Sequence, residues 1–198
     1  MSRSLVLSRT RLLALALAAA VLALVAWQVV DRPAGNNASA AVGGVHMTMT
    51  VTGHKTGVFK GDDVARSKAT AGSITVTAYQ YELVSPRDPA SGLPTGKRMH
   101  KPITVTHELG GSSPQFLNSL ATNETLDSVV INFFRTDRTG KDVNYYRVKL
   151  TNGSVSDVKQ YSSGNDVLED VSFTFQKIEQ DDFIAKTTFV DDWESPIT

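Results

Sequence analysis

The 198-residue chain contains no cysteine. That excludes a disulfide scaffold and any thiolate metal site, so the fold must rest on an apolar core. Neither sign of charge is in excess, since twenty Lys and Arg face twenty Asp and Glu. The balance is uneven along the chain. Residues 1–40 hold four Arg and one Asp, which leaves sixteen basic and nineteen acidic residues in 41–198. A mildly acidic body lacks the basic face that neutralises phosphates, so no nucleic-acid partner is expected. Catalytic signatures are missing too. There is no G-x-S-x-G or HExxH motif, and His46, His54, His100 and His107 have no metal-ligand spacing. The adjacent acids Asp62-Asp63, Asp181-Asp182 and Asp191-Asp192 read as solvated, because neighbours in a strand point to opposite faces. No enzyme activity, metal or cofactor is expected.

Long apolar runs are equally scarce. The one present, Leu12 to Trp27, follows a start carrying Arg3, Arg9 and Arg11 without an acid. It precedes Gly35-Asn36-Asn37-Ala38-Ser39-Ala40, in which Ala38 and Ala40 form an A-x-A pattern ahead of Ala41. A basic start, an apolar stretch and a small-residue site make a secretory signal peptide. A run of this length also suits an uncleaved anchor helix, because about 20 apolar residues span a bilayer. Either reading sends residues 41–198 across the membrane and confines membrane contact to residues 1–40.

The body is extended. Val45, Met47, Met49 and Val51 alternate with polar residues, as in a strand with one buried face. Gly53 to Thr70 is polar and reads as a loop. Ser73 to Leu83 is a second strand whose apolar phase shifts from Ile74 and Val76 to Tyr79 and Tyr81. Ser85 to Lys101, with Pro86, Pro89, Gly92, Pro94 and Gly96, has no periodicity and reads as a long functional loop. Ile103, Val105 and His107 form a short strand. One helix follows, with Ser113 as N-cap, Pro114 at the first helical position, an apolar stripe of Phe116, Leu117 and Leu120, and Asn123 as stop. Val129, Ile131 and Phe133 alternate. Asp137-Arg138-Thr139-Gly140 then turns the chain into the strand of Tyr146, Val148 and Leu150. Asn152-Gly153 predicts a further hairpin turn. Val171, Phe173 and Phe175 line another strand, and Phe183 to Val190 reads as the last. Many short strands with one helix indicate an antiparallel barrel or sandwich.

Several stretches together resemble one family. Leu93-Pro94-Thr95-Gly96-Lys97-Arg98-Met99-His100-Lys101-Pro102-Ile103-Thr104-Val105-Thr106 resembles the loop-and-strand signature of the type VI secretion tube proteins (haemolysin-coregulated protein, Hcp). Ser112-Ser113-Pro114 before Phe116-Leu117 is similar to the start of that family's helix. Phe134-Arg135-Thr136-Asp137 with Asn144-Tyr145-Tyr146 resembles its central hairpin. Leu168 to Ile178 resembles a late strand, and Asp191-Asp192-Trp193 its usual end. The resemblance runs through residues 45–193. It implies a mainly β fold, an antiparallel β-barrel of two sheets with one short flanking α-helix. It also implies a homo-hexameric ring that stacks into a tube and takes small effector proteins in its lumen. Tube-forming members fold in the cytoplasm without a signal peptide, whereas here the resemblance begins after one. The chain is therefore expected to be a leader (1–40) and an Hcp-like body (41–198). Its work is that of a ring or tube subunit or, alternatively, of an exported or envelope-anchored monomeric binding module outside a firing apparatus.

Two regions carry opposite charge. The loop at 85–101 has Arg87, Lys97, Arg98 and Lys101 against Asp88, whereas residues 166–198 hold nine acids against Lys177 and Lys186. Such a pair suits head-to-tail contact between copies. The candidate ring-stacking surface is thus Arg87, Pro94, Gly96, Lys97, Arg98, His100 and Lys101. The leader yields a direct test. Amino-terminal sequencing of the exported protein is expected to begin at Ala41 if the leader is cleaved and at Met1 on membranes if it anchors, whereas cytoplasmic protein would defeat both.

Overall fold

The computed structural model describes residues 46–62 and 72–194. The leader, with Ala38, Ala40 and Ala41, lies outside them, as do residues 63–70 of the expected loop. The strands are β1 (His46–Gly53), β2 (Gly57–Val58), β3 (Ile74–Val76), β4 (Ala78–Gln80), β5 (Leu83–Val84), β6 (Met99–His100), β7 (Ile103–Glu108), β8 (Thr125–Thr136), β9 (Asp142–Ser163), β10 (Asp166–Asp182) and β11 (Thr187–Asp192). The helix α1 (Ser113–Thr122) falls between β7 and β8.

Nine strands form one antiparallel sheet in the order β2-β1-β8-β9-β10-β7-β4, with β3 added to β1 and β11 to β10. The pairing returns on itself. Ile74 to Val76 pair with Met49 to Met47 of β1, while Ala78 to Gln80 pair with Thr106 to Thr104 of β7. Thr77 alone separates them, and its N–H donates to Thr106 O at 2.8 Å. One short stretch of chain therefore hands the sheet from β1 to β7 and closes a barrel. The phase shift between Val76 and Tyr79 is the sequence trace of that change of partner. The second sheet is the small ribbon β5–β6.

Alternation fills the interior. Met49, Val51, Ile103, Val105, Val129, Ile131, Val148, Leu150, Val171 and Phe173 are all fully buried. Burying such a side chain contributes about 1.5–3 kcal/mol. Phe116 of α1 packs 5.2 Å from Phe59, 5.5 Å from His107 and 6.0 Å from Phe173, so the helix covers the core. Phe59 lies in the stretch read as a loop, which a single apolar residue does not betray. The helix departs from expectation in two details. Ser112 is the N-cap and Ser113 the first helical residue, with the Ser113 hydroxyl accepting from Gly110 N–H at 3.2 Å. Leu117 is exposed, and Ser113, Phe116 and Ser119 make the buried face. A residue next to Phe116 is rotated by about 100° and cannot share its contact. Asn123 does end the helix, in the left-handed conformation.

Glu124 is buried behind the β1–β2 turn. Its carboxylate accepts from Lys55 N–H, Thr56 N–H and the Thr56 hydroxyl, each at 2.7 Å. Burial alone would raise its pKa, but the Thr56 and Lys55 hydrogen bonds outweigh that and hold it below the ordinary value. A Cβ at Gly53 would lie 2.6 Å from Glu124 Oε1, so a side chain there would displace the carboxylate that holds the turn.

Asn152-Gly153 is the main correction. It makes no hairpin turn and lies inside the 22-residue strand β9. Asn152 still adopts a positive φ of 49°. The pairs on either side keep one register, with Thr151 and Gly153 opposite Ser128 and Leu126 of β8 and opposite Lys177 and Phe175 of β10. The left-handed residue therefore kinks a strand held on both sides. Extra residues at Tyr145 and Ser156 of β9 shift register against β8 and β10 respectively, adding curvature. The last strand also begins later than expected, at Thr187. Residues 183–186 turn on Asp182, which accepts from Ile184 and Ala185 N–H at 2.8 Å. The kink can be tested by urea unfolding. Asn152→Val is expected to lose about 1–2 kcal/mol, because a β-branched side chain resists positive φ, and Asn152→Gly to lose less.

Candidate functional site

Residues 85–101, expected as a long loop without periodicity, form a hydrogen-bonded arm. Leu83 and Val84 pair with His100 and Met99, and a bridge joins Arg87 to Pro94. Thr95 N–H donates to Pro86 O at 3.0 Å, and Asp88 N–H to Leu93 O at 2.9 Å. The tip turns on Asp88, whose Oδ1 accepts from Ser91 N–H, the Ser91 hydroxyl and Ala90 N–H. Those bonds, from Ser91 first, hold its carboxyl below the ordinary range. Arg87 donates to Gly92 O at 3.1 Å. Gly92 has a φ of 70°, which the turn needs. Leu93 stands 64% exposed at the tip.

The seven candidate residues fall into two sets. Arg87, Pro94, Gly96, Lys97 and Lys101 are exposed. Arg98 and His100 face inward and meet one carboxylate, that of Asp191 in β11. Arg98 donates from Nε to Oδ2 and from Nη2 to Oδ1, and His100 Nε2 lies 2.8 Å from Oδ2. The side chains of Asp191 and His100 are 1% and 3% exposed, and that of Arg98 27%. His100 Nδ1 lies 2.6 Å from the Tyr81 hydroxyl, and its ring sits 5.4 Å from Phe175 and 5.2 Å from Trp193. Arg98 above all, and then His100, hold the Asp191 carboxyl below its ordinary value against the opposing effect of burial. Burial and the nearby Asp191 charge push the Tyr81 hydroxyl up to about 12.

Asp191 is therefore not one of a solvated pair. Other acids of the carboxy-terminal third are also engaged. Asp181 pairs with Arg147 at 2.7 Å, and Glu179 with Lys177 at 2.8 Å. Asp62 accepts from Gly111 N–H at 3.2 Å. Glu169 is fully buried, 3.1 Å from His107 Nε2, and accepts from Gln160 at 2.6 Å. Less free acidic surface is left than the count of nine suggests. Glu169 and His107 could have been found in the sequence by phase, since they share the inward face of Val171 and Val105. Asp191 and Tyr81 had no such local signal.

The Asp191 cluster makes stability depend on pH in a set direction. A carboxyl lowered by folding contributes fully above its ordinary value of 3.8, and the contribution disappears as pH falls through the folded value. Asp191→Asn is expected to cost about 3 kcal/mol near neutral pH, because it leaves Arg98 without its partner. In denaturant titrations from pH 7 to pH 3 the gap between parent and variant should narrow only in the acid range. A constant gap would show that the charge of Asp191 is unimportant.

Residues 35–181 match the family model described as type VI secretion system effector, Hcp. The match opens within the segment read as a leader. The major exported protein of Pseudomonas aeruginosa is 35% identical over 164 residues, covering 75% of this chain and 95% of that protein. Among solved structures, an Hcp protein superposes with a TM-score of 0.70 at 23% identity, over 75% of this chain and 99% of that one. A variant of the Hcp1 protein from the E. coli EAEC 042 pathovar gives 0.69 at 27% identity, over 76% and 99%. Secreted protein Hcp3 from Pseudomonas aeruginosa gives 0.64 at 28%, over 77% and 100%. With the family match spanning most of the barrel and the arm, the chain belongs to the type VI secretion system Hcp family, a family of structural tube proteins and not of enzymes.

Proposed function

We propose that this protein is the ring subunit of a secretion tube, that six copies close a ring, and that rings stack through the arm at 85–101. Small effector proteins are the expected cargo of the lumen. The arm carries this reading. It is a hydrogen-bonded ribbon outside the nine-stranded sheet, with an exposed leucine at its tip and exposed Arg87, Lys97 and Lys101 along it. Its own hydrogen bonds and the fixed φ of Pro86, Pro89 and Pro94 reduce the conformational entropy lost on docking. Its charge favours acidic surface on the next ring, with the exposed Glu194 beyond the Asp191 cluster. Export is supported by the relatives named as exported and secreted.

A second reading rests on residues 1–40. A subunit exported singly would reach the envelope before it could polymerise inside the cell, and would then act as a monomeric binding module. Size-exclusion chromatography of residues 41–198 separates the two, since the first predicts a ring and the second a monomer.

Arg98 does not belong in a test of stacking charge, because it is paired within its own subunit. Replacing Arg87, Lys97 and Lys101 with Glu is expected to leave circular dichroism unchanged, since exposed charges contribute about 0–1 kcal/mol each. It should weaken stacking by about tenfold or more, and added salt should weaken the parent in the same direction. Sedimentation and electron microscopy provide the measurement. A triple variant that stacks like the parent would remove the electrostatic role of the arm.

A further inference from the structure

The arm raises a mechanical question that its own hydrogen bonds do not answer. Ribbon β5–β6 is not paired to the nine-stranded sheet. It joins the barrel through the chain after Gln80 and before Ile103, with Lys101 N–H donating to Glu82 O at 2.9 Å between the two connections. A two-stranded ribbon attached in this way can swing about its base, and two strands alone are marginally stable in water. Something must fix its direction if it is to meet a partner ring in one geometry.

Alternation along the ribbon supplies the means. Residues two apart share a face, so Arg98 and His100 point one way and Lys97 and Met99 the other. Lys97 and Met99 are exposed. Arg98 and His100 converge on Asp191, which stands in β11 with a side chain 1% exposed. β11 is anchored in turn by its pairing with β10, from Lys177↔Asp192 to Asp182↔Thr187. The guanidinium meets the carboxylate through two parallel N–H donors, which fixes the plane of approach as well as the distance. His100 adds a third bond to the same carboxylate, and Tyr81, Phe175 and Trp193 hold its ring on three sides.

We propose that Asp191 is the positioning residue of the arm: held in the last strand, its carboxylate grips Arg98 and His100 and sets the direction in which residues 85–98 leave the barrel, and hence whether rings stack. The proposal rests on the arm being the stacking element. Asp191 need not touch the neighbouring ring. It acts through the ribbon, across 93 residues of sequence.

The absence of cysteine makes the test clean, since introduced thiols are unique. Ala90→Cys at the arm tip, where only the backbone N–H is used by the turn, and Ala121→Cys on the exposed side of α1 take spin labels, and labelled chains are diluted into unlabelled full-length protein. The parent should give one narrow distance distribution. Asp191→Asn should broaden it and weaken stacking by about tenfold, the scale on which losing a preorganising contact acts. Arg98→Lys keeps the charge but loses the planar fork, so it should also broaden the distribution, with a smaller loss of thermal stability than Asp191→Asn. That result separates positioning from simple stabilisation. If Asp191→Asn does not fold, Arg98→Met with Asp191→Leu removes both charges together and leaves no buried ion unpaired; it should fold with a mobile arm. A distribution as narrow as the parent's in these variants overturns the proposal. So does a mobile arm with undiminished stacking, provided the Arg87, Lys97 and Lys101 triple variant has lost it. If that triple variant stacks normally, the stacking role of the arm fails separately, and the distance distribution alone decides whether Asp191 sets its direction.

Discussion

Backbone hydrogen bonds at a sheet edge must be satisfied, and in this protein the closure of the barrel meets that demand. Nearly everything else follows from how closure is achieved. The chain at 74–80 is too short to run the length of two neighbours, so it serves β1 with its first half and β7 with its second, changing over at Thr77. The change-over rotates the inward face, and so Ile74 and Val76 fill the core while Tyr79 and Tyr81 continue along its flank. The arm emerges directly after this point. Tyr81 is thereby placed at its base, where its hydroxyl reaches His100.

Closure also explains the use of the long strands. β9 pairs with β8 over Asp142 to Ser154 and with β10 over Tyr146 to Ser163, and a strand of 22 residues cannot stay straight around a small barrel. The bulges at Tyr145 and Ser156 and the left-handed Asn152 supply the curvature. On its other side β10 is shared by two short strands, β7 at Leu168 to Phe173 and β11 at Lys177 to Asp182. That sharing brings the last residues of β11 beside the base of the arm. The inward-facing acids then meet partners from neighbouring elements, Glu169 accepting from Gln160 with His107 Nε2 3.1 Å away, and Asp191 held by Arg98 and His100. A buried charge is tolerated only with such partners, so both clusters depend on strand order.

Much of this was open to a reader of the sequence. Alternation at Met47 to Val51, Val129 to Phe133 and Val171 to Phe173 gave the strands and their buried faces, because a side chain's face depends only on parity within its own strand. Gly140 and Asn123 marked a turn and a helix end through local backbone preference. The resemblance through residues 45–193 points to the family, and the prolines, glycines and basic residues at 85–101 mark a functional loop without revealing its ribbon. At Asn152 a correct local signal has a different consequence in the folded sheet. Asn152 does take positive φ, but a left-handed residue reverses a free chain and only kinks one that is hydrogen-bonded on both sides.

The sequence by itself determined the strand pattern, the helix at 113–122, the absence of any covalent staple and the basic character of the arm, all of which are properties of a residue and its near neighbours. The tertiary structure alone decided which of the basic residues remain exposed. Arg98 and Lys97 are adjacent and equally charged, yet one is bound to a buried carboxylate and the other faces solvent. Nothing local distinguishes them. Their difference comes from a contact 93 residues away, and that contact exists because closure of the barrel sets β11 beside the ribbon.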